Sequence, residues 1–342
     1  MRRWLLIVLC ATAVCVCLWQ CHGSEKASED ATDATVQSQP DSPATPVAEA
    51  HQQPVTNLNI SMLDTLRQQQ LEQINKSRSS NGLPPVNLDD TASKAAQTHC
   101  EAMAAEDFFG HVGRNGSRPF HRYNLYEGGD GHIAENICLF KSSAPIASDQ
   151  TTVAGLAIKG HGMFMAEVPP DDGHRRTILE KRHNYVGIGV FVKGGNYTYC
   201  EEFIDKYIEI SGPSTKTIPL GDDLVFTGRV INPGQYGLYM VSVTYDAALI
   251  PPANPKSQPN SYMDSGTEKA AFLPPWDLNK DGRSFDVRSG EFSISIKIKK
   301  KGYYYIVFYL KEDPSSIPYA GGRARVSTED GFSGGAQVIR VI

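Results

Sequence analysis

Histidine is where the sequence first suggests chemistry. Seven of the nine histidines fall between His99 and His183. A neutral imidazole can ligate a borderline cation or move a proton near neutral pH. Taken singly, each of these histidines is equally a packed, hydrogen-bonded side chain, and His99 on a helix face reads that way. Two other patterns are weaker. Asp277-Leu278-Asn279-Lys280-Asp281-Gly282 starts like a calcium loop. Its twelfth position is Arg288, where that loop needs a bidentate glutamate, so the segment reads as a polar turn. No Gly-x-Ser-x-Gly elbow and no phosphate loop occur.

The elements that must position these residues follow from composition and period. The chain has 342 residues, with 21% charged, 40% apolar and a formal net charge of −5. That length suits two domains plus tails, and the balance argues against a nucleic-acid surface. Arg2 and Arg3 precede an apolar run from Trp4 to Trp19. Residues 1–23 therefore read as an export signal, with Cys21 opening the alternatives of a lipoprotein signal or a retained membrane anchor. Residues 24–56 are rich in Ala, Ser, Thr, Asp, Gln and Pro and read as a disordered linker. Export places the protein outside the cell or in the cell envelope. It also permits disulfides among Cys100, Cys138 and Cys200, the cysteines beyond the signal. Four glycosylation sequons, Asn196-Tyr197-Thr198 among them, matter only in a eukaryotic secretory host.

Within 57–205, Leu63, Leu66, Leu71 and Ile74 recur at helical spacing, and Asn81-Gly82-Leu83-Pro84-Pro85 stops that helix. Asp89 or Asp90 caps a second helix carrying Ala92, Ala96, His99 and Met103. Residues 111–140 read as loop-rich, with a helix around 151–167. Tyr185–Val192 and Tyr197–Phe203 form a hairpin across Gly194-Gly195-Asn196. From residue 206 the period changes. Asp223–Val230, Leu238–Tyr245, Glu291–Lys299, Tyr303–Leu310 and Gln337–Ile342 alternate like strands, which predicts an all-β Ig-like sandwich over 206–342.

Four motifs in order carry a family likeness over residues 60–205. They are His99-Cys100-Glu101-Ala102-Met103 leading to Phe109-Gly110-His111, the loop Asn115–Arg122, Ala134-Glu135-Asn136-Ile137, and Gly173-His174-Arg175-Arg176-Thr177-Ile178-Leu179 before Gly187-Ile188-Gly189-Val190. Together they resemble the CAP superfamily of cysteine-rich secretory, antigen 5 and pathogenesis-related proteins, in its bacterial SCP-like form. Ala134 and Thr177 stand where the family has Gly and Asn. The resemblance implies an α+β architecture, a CAP-like α/β/α sandwich ahead of the β domain. It also implies a cleft lined by His111, Glu135, His174 and, from the segment Phe164–Glu167, Glu167. Such a set suits Zn2+. Cys138 and Cys200 would then both lie on the central sheet, as a disulfide or as two buried thiols. Three functions stay open: a recognition module for a lipid, peptide or cell-wall glycan; a metal-dependent hydrolase with Glu135 as base; or a β domain that carries the function on a CAP-like spacer.

Overall fold

The computed structural model describes residues 58–126, 128–213, 216–254, 266–320 and 326–342. The export-signal and linker readings lie outside them. In chain order the first domain has α1 (Ile60–Ser80), β1 (Asn87–Leu88), α2 (Asp90–Ala105), α3 (Pro119–Leu125), β2 (His132–Lys141), α4 (Gln150–Met165), α5 (Gly173–Ile178), β3 (Tyr185–Lys193) and β4 (Asn196–Asp205). The second has β5 (Ile208–Ile210), β6 (Thr217–Ile218), β7 (Asp223–Val230), β8 (Tyr236–Asp246), β9 (Glu268–Leu273), β10 (Ser284–Phe285), β11 (Glu291–Lys297), β12 (Gly302–Glu312) and β13 (Phe332–Val341).

The first sheet runs β1-β3-β4-β2, so β2 is an edge strand beside the β3–β4 hairpin. Alternation along the strands builds three layers. Val186, Ile188, Val190 and Val192 pack with Leu66 and Ile74 of α1 and Val153 and Ala157 of α4. The residues between them face α2. A Cβ on Gly187 would lie 2.2 Å from the Ala92 backbone, and one on Gly189 2.3 Å from that of Ala96. Only glycines let α2, with its small alanines, sit this close to the sheet. The helix caps follow the sequence reading: Asp89 accepts from the Ala92 N–H at 2.8 Å.

The segment 111–140 is less loop-rich than its punctuation suggests. It holds α3, entered through Pro119 in its first turn, and nearly the whole of β2. Polar residues in β2 hide its strand character because Glu135 and Asn136 are buried there with partners.

The second domain stacks a four-stranded sheet, β10-β11-β7-β5, on a five-stranded one, β6-β13-β12-β8-β9. Phe292, Ile294 and Ile296 of β11 meet Phe226 of β7 and Phe308 of β12 in one apolar core. The Asp277–Gly282 turn spends its polar groups internally: Lys280 pairs with Asp277 at 2.9 Å, and Asn279 accepts from the Phe285 N–H at 2.6 Å.

A third, smaller core joins the two domains. Phe120, Tyr123, Ile133 and Ile204 pack against Tyr305, Val307, Ala336 and Val338.

Candidate functional site

Glu135 and Asn136 are neighbours on edge strand β2, so their side chains leave opposite faces of the sheet. Each organises one half of the site.

On the α2–α3 face, the His111 Nδ1 and Glu135 Oε1 lie 2.8 Å apart. The other Glu135 oxygen accepts a short hydrogen bond from Arg122. Arg122, buried on α3, also donates to the backbone oxygens of His111 at 3.0 Å and Ser117 at 3.2 Å. One guanidinium therefore fixes both the carboxylate and the loop that carries His111. Burial alone would raise the Glu135 carboxyl. The positive charge of Arg122, with His99 and His111 beside it, holds it well below the usual carboxylate range instead.

Directly opposite Glu135 in the strand register stands Glu202. It is fully buried, and the partner its protonated carboxyl finds is the Glu135 carboxylate. Burial, then the Glu135 charge, pushes its pKa well above the ordinary value, so Glu202 is a neutral acid beside an ionised one. His99, buried behind them and bonded to the Gly110 carbonyl at 2.9 Å, is lowered to about 3 by burial and then by Arg122.

On the other face, the His174 Nδ1 lies 2.5 Å from Glu167 Oε1. Glu167 Oε2 accepts from the backbone N–H of His174 at 2.9 Å and of Arg175 at 3.3 Å, so Glu167 anchors both the ring and the start of α5. The His174 ring stacks on Phe164 with centroids 4.6 Å apart. Asn136 donates to the His174 carbonyl at 3.1 Å. Buried Arg78 pins the chain after α5 through the carbonyls of Ile178, Glu180 and His183.

The four residues expected together thus form two pairs, His111–Glu135 and His174–Glu167, approaching β2 from its two faces. In each pair a carboxylate takes Nδ1. That is the arrangement that orients a histidine to ligate through Nε2. Among the described residues, the metal-competent atoms that converge within 4.8 Å belong to a different group: Glu135, Cys200 and Glu202. That group lies against the Arg122 guanidinium, whose charge opposes a second cation there.

A disulfide between Cys138 and Cys200 is a correction. Both are free thiols. Cys138 stands opposite Tyr199 and Cys200 opposite Ile137, so a one-residue offset puts the two sulfurs on opposite faces of the sheet. Burial raises the Cys200 thiol well above its usual range, which makes it inert rather than reactive.

Three participants carry no signal in the motifs. Arg122 sits in a quoted loop motif without a role. Glu201 and Glu202 stand consecutively in a strand with Tyr199 and Cys200 before them and Phe203 and Ile204 after, and that placement is the clue a sequence offers. Glu201 gathers His161 Nδ1 at 2.7 Å, the Tyr199 hydroxyl at 2.5 Å and Asn136 at 3.3 Å. His161 Nε2 in turn lies 2.8 Å from the Ser77 Oγ. The order Ser–His–Glu is that of a nucleophile relay. Ser77, however, lies within α1, where backbone N–H groups are spent on the helix, so its own helix offers no backbone oxyanion donor. The chain Ser77–His161–Glu201–Asn136 is an interior strut ending at the His174 backbone.

No helix among the described residues is long and apolar enough to cross a membrane. Residues 71–204 match the family described as CAP, the cysteine-rich secretory protein family. Among solved structures, an extracellular SCP-domain protein from Bacillus anthracis str. Ames is similar at 24% identity and a TM-score of 0.31, covering 41% of this chain and 40% of that one. The match thus spans under half of that protein's own length. An outer surface protein from Borrelia burgdorferi is similar at 14% identity and a TM-score of 0.32, covering 43% of this chain and 94% of that one. No curated protein matches the sequence. The likeness to the cysteine-rich secretory protein (CAP) family thus lies in the first domain of this chain, over residues 71–204.

Proposed function

We propose that the protein is an exported or envelope-bound recognition module whose His111–Glu135 and His174–Glu167 pairs hold a divalent cation, Zn2+ by donor type, at the edge of the CAP sheet. The observation that carries this reading is that both histidines are oriented through Nδ1 by a buried or half-buried carboxylate. The ligand recognised at that edge would be a lipid, a peptide or a wall glycan. When bound, the cation would supply a fixed positive charge to an anionic or carbonyl group of that ligand. The chain's own residues set the rings: Arg122 and Asn136 fix the backbones of His111 and His174.

A hydrolase at the same place is the weaker reading. Glu135, its candidate base, is clamped by Arg122 and His111 and held at low basicity, the wrong direction for taking a proton from water near neutral pH.

The test is a Zn2+ titration of the full chain by calorimetry. Binding to the wild type is expected, with release of the ion in acid because protonated imidazole cannot ligate. It should be lost in the His111→Ala/His174→Ala double variant. Unchanged affinity in that variant would overturn the assignment.

A further inference from the structure

We propose that the C-terminal β domain completes the candidate site by acting on α3, a two-sided strut whose His121 and Asn124 are fixed by the β domain and whose Arg122 fixes Glu135 and His111. This rests on the metal-site reading above for its ligand, but not for its mechanism.

The strut is visible residue by residue. On one side, Arg122 carries Glu135 and the His111 and Ser117 carbonyls. On the other, the next residue back, His121, reaches Tyr305 of β12, with His121 Nε2 2.7 Å from the hydroxyl. The tautomer is set locally: His121 Nδ1 accepts from the Arg118 N–H at 3.0 Å, so Nε2 bears the proton and donates to Tyr305. The Tyr305 hydroxyl passes its own proton to a hydrogen bond with Asp246 of β8. Asp246 closes the ring on Arg118 at 3.6 Å. Burial, then Arg118 and Arg122, lowers the His121 pKa to about 3, so the ring carries this proton pattern across the ordinary pH range.

Two further contacts hold the same segment. Asn124 accepts from the Val338 N–H of β13 at 3.1 Å and donates to the Phe120 carbonyl at 2.9 Å. The loop before α3 is equally close: a Cβ on Gly116 would lie 2.7 Å from the Ile250 backbone. Phe120 and Tyr123 complete the contact in the shared apolar core. A seven-residue helix has little stability of its own. Its position, and with it the direction of Arg122, is therefore set by what packs on it. The β domain supplies the hydroxyl, the carboxylate and the backbone N–H that do so.

The experiment compares two substitutions in β12 of the full chain. Tyr305→Phe removes the hydroxyl and keeps the ring; Val307→Ala loosens the same apolar core without touching the polar ring. Zn2+ affinity, the thermal midpoint and the guanidinium N–H resonances of Arg122 are measured for each. Tyr305→Phe is expected to weaken Zn2+ binding about tenfold, as loss of a group orienting a ligand does, and to merge the Arg122 resonances that a clamped guanidinium keeps separate. Val307→Ala is expected to lower the midpoint with neither change. Should Tyr305→Phe fail to fold, Asn124→Ser makes the same test through the Val338 contact. If Tyr305→Phe leaves either readout unchanged in a protein that binds Zn2+, or if Val307→Ala weakens Zn2+ binding equally, the proposal is overturned. If the wild type binds no Zn2+, the metal reading fails on its own. The Arg122 resonances then still decide whether the β domain sets the arginine.

Discussion

The interiors of the two domains are built from different material. Beneath the CAP helices lie Arg78, His99, Arg122, Glu135, His161, His183, Glu201 and Glu202, all buried. The β domain's main core is Phe226, Leu238, Ile294, Ile306, Phe308 and their apolar neighbours. The buried polar side chains of its described residues are Asp246 and Gln337. Asp246 faces Arg118 of the CAP domain, and Gln337 lies where a Cβ on Gly129 would touch it. An apolar core draws its stability from area and tolerates exchange of shape. A charged one draws it from fixed partners, and loses more when a single partner goes than the pair contributed. The difference says where chemistry was placed, and it predicts how each domain breaks.

The largest effect is expected at Arg122. Arg122→Met keeps the volume and strands the Glu135 charge in the interior, which should destabilise the CAP domain by about 3–5 kcal/mol in urea unfolding. Adding Glu135→Gln should recover part of that loss, because the stranded charge goes with it. A cost below about 1 kcal/mol for the single variant would mean that the pair behaves like a surface ion pair and that the contrast between the two interiors is false.

The β domain should answer to volume instead. Ile294→Ala is expected to cost about 2–5 kcal/mol through its cavity, while Ile294→Leu, with the same atoms rearranged, should cost under about 1.5 kcal/mol. Both are read from the unfolding midpoint. Equal losses for the two would show that a unique side-chain fit, not apolar area, governs this core.

The same contrast explains what a reading of the sequence reaches. The β strands are legible because their alternation is undisturbed: Phe292, Ile294 and Ile296 declare an inner face, and β7 is predicted to its ends. In the CAP domain the α1 stripe and the Asp89 cap are equally plain. The edge strand β2 is not, since Glu135 and Asn136 look like surface residues until Arg122, His111 and Glu201 are known to meet them. Glu135 and the two histidines enter through family motifs rather than pattern. Motifs do not carry Arg122's role, because it depends on a short helix held from outside the domain. Of the two alternatives for Cys138 and Cys200, the two buried thiols hold and the disulfide fails, for the reason that register is invisible in a sequence: one residue of offset reverses the face.

The smallest change near pH 5, and one of opposite sign, belongs to Glu202. Glu135 and Glu202 face one another across β2 and β4, and environment divides them: Arg122 keeps one ionised, while burial and that ionised neighbour keep the other neutral. An unfolded glutamate titrates near 4.3. Below that pH Glu202 is protonated folded or unfolded, and its titration favours neither state. Above it the unfolded chain releases the proton and the folded one retains it, so wild-type stability falls by up to about 1.4 kcal/mol per pH unit until the raised folded value is passed. Glu202→Gln is neutral in both states, and its amide presents a donor to Glu135 where the acid carries its proton. The variant should match the wild type at pH 4 and exceed it increasingly as the pH rises above about 5, until the raised folded value is passed, in urea unfolding. Glu135→Gln should do the reverse. Its carboxylate has a lowered folded pKa, so the stability it contributes is present above about 4.3 and fades as the pH falls; the variant should lose most near neutrality and least in acid. Two isosteric substitutions, facing each other in the ladder, would then carry pH slopes of opposite sign, that of Glu135→Gln below about 4.3 and that of Glu202→Gln above it. Parallel slopes would show that the two carboxyls share their proton evenly, and that Arg122 does not choose between them.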